Sequence, residues 1–303
     1  MKKVLVVLIC LVAVLAPSFA QGSKEKVNNV SICTPYMSSV TTKQMVDIIK
    51  SELEKANIKV SVFDSANDNS KFASDIETSV VSKVNGIIIV SIDPSLCEAQ
   101  LKEAAAAGIP VFGVDSGYIE GVMQMNATSD NYQMGEAIIK YLFKLMGEKG
   151  TLVHLTYRAH PGVVKRTLAL EALLPQYPNI KELSEFHVDV PNQINNAKEI
   201  VENVLTTYPQ KGSVTAIMCA WDEPAIGATQ ALMEAGRDEV LVVGVDGNEQ
   251  AVQLIKQGTN LKATMAQDFD GMAKLVAAEC IKAVSGQATL KGEQYVPAIL
   301  IEK

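Results

Sequence analysis

The sequence is poor in aromatic residues and lacks the short motifs that mark common enzymes. Aromatic residues make up 5% of the 303 positions, and Trp221 is the only tryptophan. There is no Gly-x-Gly-x-x-Gly, no phosphate-binding P-loop and no Gly-x-Ser-x-Gly turn. His154 and His160 lie six residues apart, which suits neither a helical metal pair nor a catalytic triad. The sequence therefore predicts a protein that is not an enzyme, with no metal and no cofactor.

The cysteines are few and scattered along the chain. Four of the five lie beyond residue 20, and no two of these are close in sequence, whereas zinc sites normally pair cysteines two to four residues apart. Their spacing leaves open whether they form disulfides, and we interpret them as small buried apolar residues. They are Cys33, Cys97, Cys219 and Cys280.

Positive charge is also scarce. The chain has 34 acidic and 27 basic residues and no basic stretch, so nucleic acid and anionic membranes are poor candidates as partners. No apolar run of membrane length follows Ala20, so we expect the mature protein not to be embedded in a membrane.

The N-terminus has the pattern of a cleavable signal peptide. Two lysines precede the apolar run Val4–Ala16, which is shorter than the roughly 20 residues that span a bilayer. Small residues then predict cleavage after Ala20, and a retained membrane anchor is the alternative. Cys10 follows Ile9 rather than a small residue, which argues against lipid attachment. We therefore expect residues 1–20 to be removed and the protein to diffuse freely, in the periplasm of a Gram-negative cell.

Short β-branched runs alternate with longer helical patterns in the mature chain, which is typical of α/β proteins with parallel sheets. Solid apolar blocks such as Ile87–Val90 predict strands that are covered on both faces. The predicted strands are Val27–Cys33, Lys59–Phe63, Gly86–Ser91, Val111–Val114, Leu152–Leu155, Val214–Cys219, Val240–Val245 and Lys262–Met265.

Two segments of the chain resemble each other. Residues 109–117 and residues 240–248 each read as a buried strand that ends in Val-Asp and runs into a turn. This repeat indicates two similar doubly wound α/β lobes. Ser129 or Asp130 is expected to cap the helix that follows, and residues 286–294 read as a polar tail or linker.

Ligands of open parallel sheets bind beyond the carboxyl ends of the strands. Carboxylates and amides in that position can hydrogen-bond the hydroxyls of a neutral solute, and Arg166 offers a rigid guanidinium nearby. The polar or aromatic residues at predicted strand ends are Ser91, Asp115, Trp221, Asp222, Asp246 and Gln267.

These residues have structural interpretations as well. Asp115 and Asp246 could equally be helix caps, and Asp222 reads better as a cap than as a ligand. Arg166 could be a solvated arginine on a helix. Trp221 could belong to the core, although its position after a strand favours a pocket.

Five short segments, in order and at matching spacing, resemble the periplasmic sugar-binding proteins of the ribose/galactose type, which share their fold with the effector domains of LacI-like repressors. The likeness covers nearly all of the mature chain. The segments are residues 107–115, 129–131, 221–228, 242–247 and 263–267, which read AGIPVFGVD, SDN, WDEPAIGA, VVGVDG and ATMAQ.

The resemblance implies two lobes that close on one solute about a three-stranded hinge, with the ligand cleft between them. It implies delivery of the solute to the membrane permease of an ATP-driven importer, and we expect a monomer. The lobes would comprise residues 21–129 with 268–297 and residues 130–267 with 298–303, with crossovers near Ser129–Asp130, Gln267–Asp268 and Pro297–Ala298. Asp115, Arg166, Asp246 and Gln267 match positions that hydrogen-bond the sugar in this family, and His160, six residues before Arg166, matches a further contact of the glucose/galactose type.

Several positions depart from the family pattern. Trp221 stands where an asparagine is usual, and Ser116 stands where ribose binders have an arginine. Tyr36 is the only ring in the loop after the first strand, and residues 190–193 read Val-Pro-Asn-Gln where an aromatic residue is usual. Ser91, Tyr36 and Ser116 complete the expected ligand contacts. The ligand is therefore predicted only as a monosaccharide or a similar polyhydroxylated molecule.

Two other functions use the same fold. A sensory or chemotaxis receptor, or a binding protein for a furanosyl signal molecule, would use the same cleft, and the sequence does not separate these from transport. A repressor would need a basic helix-turn-helix of about 60 residues before the first strand. The first predicted strand instead begins near Val27, directly behind the export signal.

Overall fold

A computed structural model describes residues 28–303, so the predicted signal peptide and its cleavage site lie outside the described residues. Residues 28–303 form twelve strands and nine α-helices. The strands are β1 Asn29–Thr34, β2 Lys59–Asp64, β3 Gly86–Val90, β4 Val111–Val114, β5 Met125–Thr128, β6 Gly150–Thr156, β7 Ile180–His187, β8 Ala216–Cys219, β9 Leu241–Asp246, β10 Leu261–Gln267, β11 Gly292–Tyr295 and β12 Ala298–Glu302. The helices are α1 Val40–Lys55, α2 Asn69–Val81, α3 Glu98–Ala106, α4 Asn131–Leu145, α5 Pro161–Leu173, α6 Gln193–Thr207, α7 Asp222–Glu234, α8 Glu249–Gln257 and α9 Phe269–Val284.

The strands form two six-stranded sheets of nearly identical topology. The first has the order β2-β1-β3-β4-β5-β11 and the second β7-β6-β8-β9-β10-β12. All pairings are parallel except that of β10 with β12. Both sheets have the 2-1-3-4-5 order of doubly wound folds, in which the crevice at the switch in strand order holds the ligand. The predicted fold class is confirmed.

Helices cover both faces of each sheet, which explains why the central strands read as solid apolar runs. In the first sheet α1 and α9 pack on one face and α2 and α3 on the other. In the second sheet α4 and α5 pack on one face and α6, α7 and α8 on the other. Every residue of β3, β4 and β8 is buried. None of the helices within residues 28–303 is long and apolar enough to cross a bilayer.

The chain passes three times from one sheet to the other. Strand β5 belongs to the first sheet, whereas α4, which follows it, packs on the second. Strand β10 belongs to the second sheet, whereas α9 packs on the first. The last passage joins β11 of the first sheet to β12 of the second across residues 296 and 297.

Four strands have no counterpart among the predicted ones. Strands β5 and β7 interleave polar residues with apolar ones, and β11 and β12 lie at the sheet edges with much of their surface exposed. The interpretation of residues 286–294 as a tail or linker is wrong for Gly292–Gln294, because these residues pair in parallel with β5. Hydrogen bonds to the backbone of the distant strand β5 hold this polar segment in place. The segment's own sequence has no pattern that predicts a strand.

Candidate functional site

A cavity lies between the two sheets at the carboxyl ends of their strands. The space, including its opening to solvent, amounts to about 500 Å³, which is within the range of small-molecule sites. Both halves of the molecule line it: Tyr36, Ser39, Thr41, Thr42, Ser91 and Asp115 come from the first, and Tyr157, His160, Val163, Arg166, Val190, Gln193, Trp221, Glu223 and Asp246 from the second.

Seven of the nine residues predicted from the sequence line this cavity. They are Tyr36, Ser91, Asp115, His160, Arg166, Trp221 and Asp246. Gln267 lies beside it and donates from Nε2 to Asp246 Oδ1 at 2.9 Å. Ser116 is turned away from the cavity: its hydroxyl donates to the carbonyl of Ile92 at 2.6 Å.

Arg166 is held rigidly at the floor of the cavity. Its side chain is 2% exposed, with Nε donating to Asn131 Oδ1 at 2.9 Å and Nη1 to the carbonyl of Ala220 at 2.7 Å. Nη1 also lies 3.7 Å from Asp246 Oδ1. The interpretation of Arg166 as a solvated arginine is therefore wrong, since its guanidinium is fixed among buried acceptors with its plane set by two hydrogen bonds.

Burial destabilises the charged forms of the two carboxyl groups near Arg166. Burial raises the pKa of Asp115 to about 6, although the Arg166 charge and the neighbouring hydroxyl of Ser91 oppose the rise. Burial also raises the pKa of Asp246 well above its ordinary value, again against the opposing charge of Arg166. Buried carboxyl groups need hydrogen-bond partners, and a ligand rich in hydroxyl groups would supply them.

Within the described residues, three buried acceptor oxygens at this site have no hydrogen-bond partner. They are Asp115 Oδ1, Gln193 Oε1 and Gln267 Oε1. Buried acceptors are nearly always satisfied in folded proteins, because an unsatisfied one costs about 1–3 kcal/mol. The three oxygens can therefore accept hydrogen bonds from a molecule bound at this site.

His160 presents a fixed donor to the cleft. Its Nδ1 accepts from the backbone N–H groups of Gly162 and Val163, at 3.2 and 3.4 Å, and so caps α5. This bonding assigns the proton to Nε2, which lies 3.6 Å from Asp115 Oδ2. Burial and the Arg166 charge lower the pKa of His160 to about 3, so the ring is neutral at physiological pH.

Three of the cavity residues have left-handed or strained backbones. The φ angles are +57° at Ser91, +46° at Asp115 and +130° at Asp246. Such conformations cost of order 1–3 kcal/mol each in a non-glycine residue and cluster at functional sites. Neither Asp115 nor Asp246 caps a helix, since a loop follows Asp115 and Asn248 caps α8.

Asp222 is not the helix cap that the sequence suggests. It is completely buried within the first turn of α7, and its carboxylate accepts from Asn248 N and from Thr264 Oγ1, both at 2.7 Å. Burial raises its pKa to about 6. Asp222 thus ties the turn after Asp246 to β10 and supports the cavity from behind.

Three rings pack together on one wall of the cavity. Tyr157 meets Trp221 and Tyr36 edge to face, with ring centroids 6.4 and 6.0 Å apart. Trp221 is 8% exposed and belongs to the core of the second half as well as to the cavity wall, so both interpretations of it apply. Such a wall is suited to the C–H faces of a sugar ring.

The sequence reasoning missed several cavity residues. Tyr157 follows the end of β6, so the strand-end rule that found Asp115 could have found it. Glu223 lies two residues after Trp221 in the segment 221–228, and Gln193 lies in the segment 190–193, which lacks the usual aromatic residue of the family. Ser39, Thr41 and Thr42 lie at the start of α1 and carry no signal of their own.

Within residues 28–303, one group outside the cavity has the spacing of a metal site. His154 Nδ1 lies 3.6 Å from Glu185 and 3.8 Å from Glu182 on strands β6 and β7, and none of the three lines the cavity. Arg158 donates to both carboxylate oxygens of Glu185, at 2.7 and 2.6 Å. Its positive charge opposes cation binding, so we interpret the group as an ion-pair network.

Comparison with protein families gives one match over most of the chain. A family model described as a periplasmic binding protein domain matches residues 30–288. The chain is 28% identical over 276 residues to the D-apiose import binding protein of Actinobacillus succinogenes, which covers 90% of this chain and 87% of that protein. It is also 28% identical to the ribose import binding protein of Bacillus subtilis, which covers 86% of this chain and 82% of that protein.

Solved structures give the same picture. A solute binding protein of an ABC transporter from Agrobacterium vitis, solved with bound allitol, superposes with a TM-score of 0.85 at 28% identity and covers 91% of this chain and 96% of that one. An ABC sugar transporter subunit from Rhodobacter sphaeroides superposes with a TM-score of 0.85 at 27% identity and covers 91% and 98%.

Proposed function

Because the chain belongs to the periplasmic binding protein family, we propose that it is the exported solute-binding component of an ATP-driven importer. Its ligand is a monosaccharide or a similar polyhydroxylated molecule. Relatives with 28% identity are named as import binding proteins for D-apiose and ribose, which supports this class of ligand.

The observation that carries the proposal is the set of unpartnered acceptors at the cleft. Asp115 Oδ1 and Gln193 Oε1 belong to residues that line the cavity, and Gln267 Oε1 belongs to the residue bonded to Asp246. Hydroxyl groups of a sugar or polyol donate to these oxygens, while the guanidinium of Arg166 donates back to ligand oxygens. The ring of Trp221 covers an apolar face of the ligand.

We further propose that the three passages between the sheets form a hinge and that the two halves are rigid lobes. Each passage is only a few residues long and contains no helix, which supports rotation at these points. The ligand shifts the population from an open form to the closed form, in which water is excluded and the hydrogen bonds are strengthened. The permease would recognise the closed form.

Titration of the single tryptophan, Trp221, tests the ligand class directly. The purified mature protein is titrated with D-ribose, D-apiose, D-allose, xylitol, allitol and myo-inositol, and the fits are checked by calorimetry. We expect at least one of these to change the fluorescence saturably. A folded protein that responds to none of them would contradict the proposal.

Two neighbouring positions form a matched pair for the same titration. Asp115→Asn removes a charged acceptor that faces the cavity, and we expect its Kd to rise roughly 10- to 100-fold, since a hydrogen bond to a charged group contributes about 1.5–3 kcal/mol. Ser116→Ala changes a side chain that is turned away, so its Kd should stay within about threefold of the parent. Equal effects at the two positions would refute this assignment of the cleft.

The proposed location is the periplasm, reached after removal of residues 1–20, and the proposed state is a monomer. N-terminal sequencing of the protein from a periplasmic extract should begin at Gln21. A sequence that starts at Met1 in the membrane fraction would refute the cleavage.

A further inference from the structure

One carboxylate reaches from the second lobe into the first. Glu223 lies in the first turn of α7, and its Oε1 accepts from the backbone N–H of Val40 at 3.1 Å. Its Oε2 accepts from the hydroxyl of Ser39 at 3.3 Å. Both donors stand at the beginning of α1, on the opposite side of the cleft.

The receiving helix has no cap of its own. Ser39 occupies the N-cap position of α1, but its side chain bonds no backbone N–H group of the helix, and the first turn of α1 contains no acidic residue. The N-terminus of a helix carries about half a positive charge and leaves N–H groups without intrahelical partners. Glu223 supplies both the missing acceptor and the complementary charge, from the other lobe.

Glu223 is also bonded to the cavity wall. The indole Nε1 of Trp221 donates to the same Oε2 at 3.2 Å. Rotation of the indole on ligand binding would therefore move the oxygen that holds Ser39. A single side chain joins the ring that faces the ligand to the contact that joins the lobes.

The other hydrogen bonds across the cleft that involve the ring wall are neutral. Tyr36 and Tyr157 share one between their hydroxyls at 3.2 Å, and Tyr157 donates to Asn67 Oδ1 at 3.1 Å. Asn67 in turn donates from Nδ2 to the carbonyl of Val190 at 3.1 Å. Hydrogen bonds with an ionised partner are roughly twice as strong as neutral ones.

We propose that Glu223 is the latch of the closed form: it caps α1 of the first lobe only when the lobes meet, and it couples closure to the position of Trp221. This inference rests on the proposed hinge closure. It makes Glu223 a positioning residue, which sets the affinity through the closed population rather than through contact with the ligand alone.

The hydrogen bond between the lobes can also be removed from the first lobe, by a change at Val40. It is the first residue of α1, a position where proline is well tolerated because its missing N–H is unused by the helix. The preceding Ser39 has φ −80° and ψ +134°, which proline permits. Val40→Pro therefore removes the donor to Glu223 while leaving the helix intact, and Val40→Ala, at a side chain that is 56% exposed, keeps that donor.

Closure can be measured without any ligand. We would introduce cysteines at Asn67 and Val190, which lie opposite each other across the cleft, and follow their cross-linking by a short bis-maleimide. The change removes the hydrogen bonds of the Asn67 side chain from every protein that is compared, so the double-cysteine protein serves as the parent. The four native cysteines beyond residue 20 are buried and do not compete. The initial rate reports the closed population in the parent and in each variant.

We expect Glu223→Ala and Val40→Pro each to lower the cross-linking rate roughly 10- to 100-fold, as for loss of one charge-assisted hydrogen bond. The double variant should be no slower than the slower single variant, because both remove the same contact. Val40→Ala and Glu249→Ala, which removes an exposed carboxylate from the first turn of α8, should cross-link at the parent rate.

A rate for Glu223→Ala within twofold of the parent, or effects that multiply in the double variant, would overturn the latch. Thermal unfolding followed by circular dichroism checks that each variant retains the fold. If Val40→Pro does not fold, the comparison of Glu223→Ala with the parent is the test. Failure of every sugar in the titration would refute the proposed ligand class but would leave this ligand-free result standing.

Discussion

Replacement of Arg166 by methionine removes a buried guanidinium while nearly keeping its volume. The arginine is 2% exposed and donates to Asn131 Oδ1 and to the carbonyl of Ala220. After the change both acceptors lose a charged donor, and the nearby carboxylate of Asp246 loses its counter-charge. We expect Arg166→Met to lower the free energy of unfolding and to abolish ligand binding.

The size of the loss follows from these contacts. Each hydrogen bond to a charged group contributes about 1.5–3 kcal/mol, and breaking a buried ion pair costs about 3–5 kcal/mol. Because the two contributions overlap and the pair distance to Asp246 is 3.7 Å, we expect a loss of about 4 kcal/mol. Arg158→Met is the control, since its side chain is 44% exposed and exposed pairs contribute about 0–1 kcal/mol.

Urea unfolding followed by circular dichroism at pH 7 measures both variants, and the comparison holds if their m-values agree. Adding Asp246→Asn to Arg166→Met should regain part of the loss, because it removes the unpaired carboxylate. An Arg166→Met protein no less stable than Arg158→Met would refute the reasoning, and so would a double variant that is less stable than Arg166→Met alone.

Two further predictions concern the ligand-free protein. Burial raises the pKa of Asp115 from 3.8 to about 6, so the protonated carboxyl group stabilises the fold fully below about pH 4, and this stability, about 3 kcal/mol, is lost as the pH rises through 6. Asp115→Asn should therefore flatten this part of the profile of melting temperature against pH, and it should melt higher than the parent at pH 7. A variant with the same pH profile as the parent would contradict the assignment. In Gly244→Ala, the new Cβ would overlap Asp222 Oδ1, so we expect the free energy of unfolding to fall by about 1–3 kcal/mol and the Kd for the ligand to rise. Calorimetry that finds neither change would argue against the supporting role of Asp222.

Much of the fold was open to prediction because its signals are local. The blocks at 87–90 and 242–245 are apolar throughout, and strands with both faces covered leave that pattern wherever they occur. The edge strand β11, Gly292–Tyr295, has no such pattern. Strand β11 is specified by its pairing with β5, more than 160 residues earlier in the chain, and its own composition reads as a linker.

The site was open to prediction only in part. Asp115 and Asp246 follow clear strands, so the topology of parallel sheets places them in the crevice. Asp222 follows a clear strand as well, yet its carboxylate turns inward to Asn248 and Thr264. Ser116 is turned away by a hydrogen bond to Ile92. The direction of a side chain depends on partners from distant segments, and spacing in the sequence does not report them.

The sequence by itself determined the alternation of strands and helices, the repeat of two similar halves and the set of polar residues at strand ends. These follow from periodicity and short-range propensity, which are properties of neighbouring residues. Only the tertiary structure decided that Arg166 is buried between Asn131 and Ala220, and that Glu223 of one half caps a helix of the other. Those contacts join residues far apart in the chain, and their energies exist only once both sheets are assembled.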